Sequence, residues 1–181
     1  MSHVEVELVP TTRRDRATLQ NLLELYLHDF SEFIDLGIGE DGRFGYDHLE
    51  QYWEPGNGRR AFLIHADGSL AGFALLQTGS EVSPDPEVFD VAEFFVLRGF
   101  RRAGVGLAAA HLLFHAFEGR WEVRVLESNA IGLRFWPRAV GAFTRQFERF
   151  IHRRDAGEGG SLTVFRFRSP PLPRPPRARG S

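Results

Sequence analysis

The stretch with the clearest chemical use is Arg101-Arg102-Ala103-Gly104-Val105-Gly106. A glycine turn that runs straight into a helix leaves free backbone N–H groups at the helix start. Such a nest holds a pyrophosphate without needing a lysine. The same residues admit a second reading, because Gly104-Val105-Gly106-Leu107-Ala108-Ala109 fits G-x-G-x-x-A and Glu127 follows the next strand, the fingerprint of a dinucleotide fold. That fingerprint usually opens its domain, whereas four strands are expected before these glycines and the last two elements are strands joined by a loop. His111 and His115 stand four apart on a helix, a spacing that could bring two imidazoles to one metal. The glutamate of an HExxH motif is missing beside His111, and no metal is expected.

Composition removes whole classes of chemistry. The 181 residues include no cysteine, which excludes disulfides, thiolate zinc sites, cysteine nucleophiles and iron–sulfur clusters. All 22 basic residues are arginine, so a Schiff-base lysine and the lysine of a Walker loop are excluded too. The formal net charge of −2 offers no electrostatic footprint for nucleic acid. No apolar run approaches the ~20 residues needed to span a bilayer. Met1 to Glu5 lacks the basic start and apolar core of a signal peptide, so a cytoplasmic protein with no membrane partner is expected.

Positioning the turn requires a sheet. Val4 to Val9 alternates apolar and charged residues and reads as a strand ended by Pro10. Thr12 and Asp15 cap a first helix with Leu19, Leu22, Leu23, Tyr26 and Phe30 on one stripe. A glycine-rich acidic loop over 31–45 leads to a short helix at Tyr46–Trp53. Strands at Arg60–His65 and Ser69–Leu76 flank Asp67-Gly68, a strong hairpin signal. A fourth strand covers Val88–Leu97, and a helix from Val105 stops near Gly119. Trp121–Leu126 is a fifth strand, and Ser128 or Asn129 caps a short helix that Pro137 should kink or end. Thr144–Ile151 and Ser161–Phe167 complete about seven strands. The expectation is an α/β domain over 1–168, a single mixed, mostly antiparallel twisted sheet with helices on both faces. Residues 169–181 hold five of the ten prolines and three arginines, and read as an extended tail with PxxP spacing.

Phe95-Val96-Leu97-Arg98-Gly99-Phe100-Arg101-Arg102-Ala103-Gly104-Val105-Gly106 resembles the acyl-CoA signature of the GNAT superfamily of N-acetyltransferases, whose turn reads R/Q-x-x-G-x-G/A. Asn129 with Phe135-Trp136 resembles that family's second signature, an asparagine followed by an aromatic pair. The order of elements from Val4 to Arg168 is similar as well. Within the family, Glu93-Phe94-Phe95-Val96-Leu97 and Trp121-Glu122-Val123 look closest to small bacterial acetyltransferases.

The resemblance implies a GNAT-like acyl-CoA N-acyltransferase fold that uses acetyl-CoA as acyl donor. Strands 4 and 5 would splay apart at a bulge and take the pantetheine arm between them, against backbone groups of Phe95, Val96 and Leu97. One of those N–H groups would face the developing oxyanion. Arg101 and the backbone of Arg102, Ala103, Gly104, Val105, Gly106 and Leu107 would hold the pyrophosphate. Asn129 would bond the arm from the other side, with Phe135 and Trp136 beside it; Asn129 also reads as a plain helix cap. Glu93, set among Val91, Ala92, Phe94 and Phe95, is the candidate base, unless it is an outward-facing carboxylate. The family's acid is a tyrosine where this chain has Trp136, and an indole cannot release and regain a proton at working pH. Tyr46 or water would then serve.

A non-catalytic acyl-CoA-binding or sensing module is the rival reading, and Trp136 is its support. Between positions 29 and 54 stand Asp29, Glu32, Asp35, Glu40, Asp41, Asp47, Glu50 and Glu54 against Arg43 alone. This run reads either as a solvated acidic face or as one wall of a cleft for a cationic amine, a small molecule or a peptide terminus. A homodimer is compatible with the sequence.

Overall fold

Asp67 and Gly68 adopt positive φ of 48° and 74°, the conformation of a type I′ hairpin turn. They join β2 (Arg60–Ala66) to β3 (Ser69–Thr78). This computed structural model describes residues 4–154 and 160–171. β1 (Val6–Pro10), β4 (Phe89–Val96), β5 (Gly119–Leu126), β6 (Phe147–His152) and β7 (Leu162–Ser169) complete a seven-stranded sheet in the order β1-β2-β3-β4-β5-β7-β6. Every neighbouring pair is antiparallel except β4 with β5.

The expected mixed sheet is therefore present. Strand order and the single parallel pair exclude a doubly wound dinucleotide fold. Glu127, the candidate ribose ligand of that reading, instead accepts a hydrogen bond from Thr163 Oγ1.

Helices cover both faces because strand side chains alternate. On one face α1 (Arg16–Phe30) packs Leu19, Leu22 and Leu23 against Leu63, Phe73, Leu75 and Phe95. On the other, α2 (Val105–Ala116) and α3 (Ala130–Phe143) press Leu113, Phe114, Trp136 and Val140 onto Trp121, Val123 and Phe165. Thr12 and Asp15 bond reciprocally at the entry to the first helical segment, as expected of a cap.

Two expectations change. The helix over Tyr46–Trp53 shrinks to a 3-10 turn at Leu49–Trp53, anchored by buried Leu49 and Tyr52. The helix after Asn129 runs 14 residues, straight through Pro137. An interior proline costs about 3 kcal/mol against alanine, and burial of Trp136, Ala139 and Val140 on both sides of it holds the helix together.

Strand β7 reaches Ser169, whose Oγ donates to the carbonyl of Phe114 at 2.6 Å. The rest of the proline-rich segment, from 172 onward, lies outside the described residues, as does most of the loop joining β6 to β7. Among the described residues no helix is long and apolar enough to cross a membrane.

Candidate active site

Strands β4 and β5 form a fork. They pair only over Phe89–Val91 with Trp121–Val123, and beyond Val91 no pairing joins them. On its other side β4 stays paired to β3, but the register slips, with Val91 opposite Leu76 and Glu93 opposite Leu75. Ala92 is thus a bulge residue. A bulge re-aims the side chains that follow it, so Glu93 and Phe95 turn toward α1 while Phe94 and Val96 turn toward α2 and α3.

Backbone direction decides which groups face the gap. Leu97 N–H donates to Ala71 O at 2.8 Å, and the Phe95 carbonyl lies against Gly72 of β3. Strand alternation then aims the backbone N–H groups of Phe94 and Val96 at the fork. Of the three residues expected there, Val96 presents its N–H to the gap, while the Leu97 N–H and the Phe95 carbonyl are committed to β3.

Glu93 lies half-buried beneath α1. Tyr26 Oη donates to its Oε2 at 2.5 Å and Tyr46 Oη to its Oε1 at 3.4 Å. Burial pushes the Glu93 carboxyl from 4.5 to about 7, against the opposing pull of the two tyrosine hydroxyls and of Arg124. Burial and the neighbouring carboxylate raise both tyrosines above their usual range, so they remain donors. Glu93 is therefore an inward-facing carboxyl that titrates near neutrality. Tyr46 reaches it because Glu24 of α1 accepts hydrogen bonds from the backbone N–H groups of Phe44 and Gly45, at 2.9 and 3.0 Å.

At the fork's open end the chain turns through Arg102 and Gly104, both left-handed at φ 66° and 83°, into the first turn of α2. The N–H groups of Val105, Gly106 and Leu107 fall in that first turn, which has no intrahelical acceptors. No atom lies within 4 Å of where a Cβ on Gly104 would sit, so the space before the nest is open. A Cβ on Gly106 would come within 3.3 Å of the Phe135 ring, and glycine there lets α2 close on α3.

Arg101 has other partners. Its Nη2 pairs with Asp29 Oδ2 at 2.6 Å, its Nε donates to the Val96 carbonyl at 2.7 Å, and it lies over the Phe95 ring. Arg98 joins the same Asp29 at 2.6 Å, and the two arginines hold its carboxyl below the usual range. Arg101 is a strut from the turn to the end of α1, with two of its three nitrogens engaged.

Asn129 caps α3, its Oδ1 accepting from Gly132 N–H at 2.8 Å. Phe135 stacks on Phe94 at 5.9 Å between the fork and α2. Trp136 packs edge-on against Phe94 at 5.2 Å and belongs to the core. His111 bonds the Ala139 carbonyl at 2.8 Å within the α2–α3 contact, and exposed His115 packs on Phe143 at its edge.

Sequence reasoning missed three groups. Tyr26 reads as one more member of an apolar stripe. The Asp29 strut and the Asp90–Arg124 pair at the base of the fork join residues 72 and 34 apart. The Asp90–Arg124 pair has one sequence signal, a charged residue inside each strand, and the Asp29 strut has none.

The sequence matches the Acetyltransferase (GNAT) family over residues 19–142. The chain belongs to that family. No curated protein matches it significantly. Among solved structures it is similar to an acetyltransferase from Thermus thermophilus, at TM-score 0.66 and 18% identity over 93% of this chain and 99% of the other. It is also similar to the aminoglycoside acetyltransferase AAC(6')-Ib in complex with coenzyme A, at 0.65 and 17% over 91% and 95%. The ribosomal-protein-S18-alanine N-acetyltransferase from Escherichia coli follows at 0.56 and 15% over 94% and 97%. At such identities these likenesses concern the fold.

Proposed function

We propose that the chain is an acetyl-CoA-dependent N-acetyltransferase that moves the acetyl group to a primary amine by direct attack in a ternary complex. The observation that carries this reading is Glu93, a carboxyl at the edge of the fork titrating at about 7 and held by two tyrosine hydroxyls. A base poised near working pH is what removal of a proton from an ammonium group requires. The N–H groups of residues 102–107 would hold the pyrophosphate, and the fork edge at Phe94 and Val96 would pair with the pantetheine arm, joined by the Asn129 amide nitrogen. Val96 N–H would face the charge developing on the acetyl oxygen.

Glu93 takes one proton from the ammonium, the amine nitrogen bonds to the acetyl carbon, the carbon–sulfur bond breaks, and the nitrogen sheds its second proton to water. The thiolate that leaves is protonated by water, because Tyr46 directs its proton at Glu93 and Trp136 is core. Amide, coenzyme A and one released proton balance the equation. Direct transfer accords with a chain that offers no cysteine to carry the acyl group.

The acceptor in this reading is cationic. Asp29 is paired with Arg98 and Arg101, and Glu50 with Arg13 and Arg16, which removes two acids from the wall. Asp35, Glu40, Asp41 and Asp47 remain exposed. A surface lined by one sign of charge concentrates the other. Purified protein with acetyl-CoA and a panel containing spermidine, an aminoglycoside and a basic peptide, read by thiol release, tests the activity. Glu93→Gln should lower turnover ~10²-fold or more at unchanged coenzyme A affinity. Thiol release from no amine, with coenzyme A still bound, would favour the sensing module instead.

A further inference from the structure

The two prongs of the fork carry a charge pair where they part. Asp90 on β4 is one residue before the last paired position, and Arg124 on β5 is one residue after it. Arg124 Nε donates to Asp90 Oδ1 at 2.8 Å and Nη2 to Oδ2 at 2.6 Å. Two parallel bonds of this kind fix distance and angle together, which a single lysine-type contact does not. Asp90 is fully buried, and Gln77 Nε2 of β3 donates to it at 2.8 Å. The remaining Arg124 nitrogen, Nη1, donates to Glu81 at 2.8 Å, in the segment joining β3 to β4. The pair therefore ties three strands and one loop together at the fork's apex.

A buried ion pair is a poor source of stability, because desolvation offsets much of its attraction. Replacing such a pair by apolar residues of similar volume is often neutral or stabilising. What the pair supplies is geometry and field at a defined point. Beyond it the strands have no ladder to set their separation, and the next charged side chain on β4 is Glu93.

We propose that Asp90 and Arg124 are a positioning pair, pinning β4 to β5 at the apex and so fixing both the gap that receives the pantetheine arm and the seat of Glu93. The proposal rests on the reading of the fork as the arm's site and of Glu93 as base. Neither residue touches the reacting atoms. They act through the strands that carry Val96 and Glu93, and through their charges. The groups facing Glu93 are Tyr26 from α1, Tyr46 from the following loop with Tyr52 behind it, Asp90 on its own strand and Arg124 from β5. Of the two charges at the apex, Arg124 acts on Glu93 more strongly than Asp90 and with opposite sign.

The pair is tested with three variants of the full chain, by calorimetric titration with coenzyme A and by carboxyl carbon NMR of Glu93, identified by its loss in Glu93→Gln. Arg124→Lys keeps the charge and loses the two-pronged bond, so it should weaken coenzyme A binding about fivefold or more while Glu93 titrates as before. Asp90→Asn should move the Glu93 titration to lower pH and Arg124→Gln to higher pH, each by about 0.5 or more. A residue that merely stabilised the fold would shift both the same way or neither. Wild-type affinity in Arg124→Lys overturns the pinning role. Movement of the two titrations in one direction, or none, overturns the electrostatic one. Because neither measurement needs an acceptor, a Glu93→Gln protein with full turnover would refute the base and leave the pin standing.

Discussion

Glu93→Gln should make the protein more stable at pH 8 and leave it nearly unchanged at pH 4.5. The carboxyl titrates at about 7 in the fold against an ordinary 4.5. Between those values the folded chain keeps a proton that the unfolded chain has released. Stability therefore falls as pH rises through that window, and the loss is complete above 7. The interval of about 2.5 pH units, at ~1.4 kcal/mol each, corresponds to about 3 kcal/mol. At ~2–4 °C per kcal/mol for a chain of this length, that is ~6–12 °C in Tm. Asp29 and Glu81, both depressed by arginines, contribute in the opposite direction, but they are common to both proteins and cancel in the difference. Melting of the two proteins from pH 4.5 to 8 measures it. A difference independent of pH would refute a desolvated Glu93 and, with it, the base assignment.

Tyr26→Phe removes the shorter of the two hydrogen bonds to Glu93, so the acidic limb of the rate profile should move to higher pH, and Tyr46→Phe should move it less. Arg101→Leu strips Asp29, the Val96 carbonyl and the Phe95 ring of one partner and should cost about 1–2 kcal/mol of stability. Calorimetry should also show weaker coenzyme A binding, whereas Arg98→Ala, at an exposed position, should leave the melting point unmoved. If the acceptor is drawn in by the acids after α1, its KM should rise with salt, as the Debye length falls from ~10 Å at 0.1 M to ~3 Å at 1 M. The combined Asp35→Asn, Glu40→Gln and Asp41→Asn change should flatten that rise.

Local signals carried the fold. Asp67-Gly68 between two apolar runs, the Thr12–Asp15 cap, and a glycine turn between a strand and an amphipathic helix each specify geometry through nearest neighbours. The Ala92 bulge leaves no such mark in Val91-Ala92-Glu93-Phe94-Phe95, because nothing local distinguishes a paired residue from an extra one. Yet that bulge turns Glu93 inward. Pro137 misled in the other direction, since a local penalty was outweighed by the burial of its neighbours. Arg101 shows the same limit at the site. Its place beside the turn suggested a phosphate partner, and nothing in the spacing announced that Asp29, 72 positions away, also pairs with the guanidinium. Long-range pairing of charges is decided by tertiary structure and is invisible to spacing.

Binding of the acyl donor is the point on which the account stands. Acetyl-CoA at 100 times its Kd should raise stability by roughly 2.7 kcal/mol, several degrees in Tm. Gly104→Glu places a strained side chain and a carboxylate in the open space before the nest at φ 83°. That variant should still melt cooperatively and show no shift with acetyl-CoA. A wild-type melting point indifferent to millimolar acetyl-CoA, or a shift kept in full by the cooperatively folded Gly104→Glu protein, would contradict it.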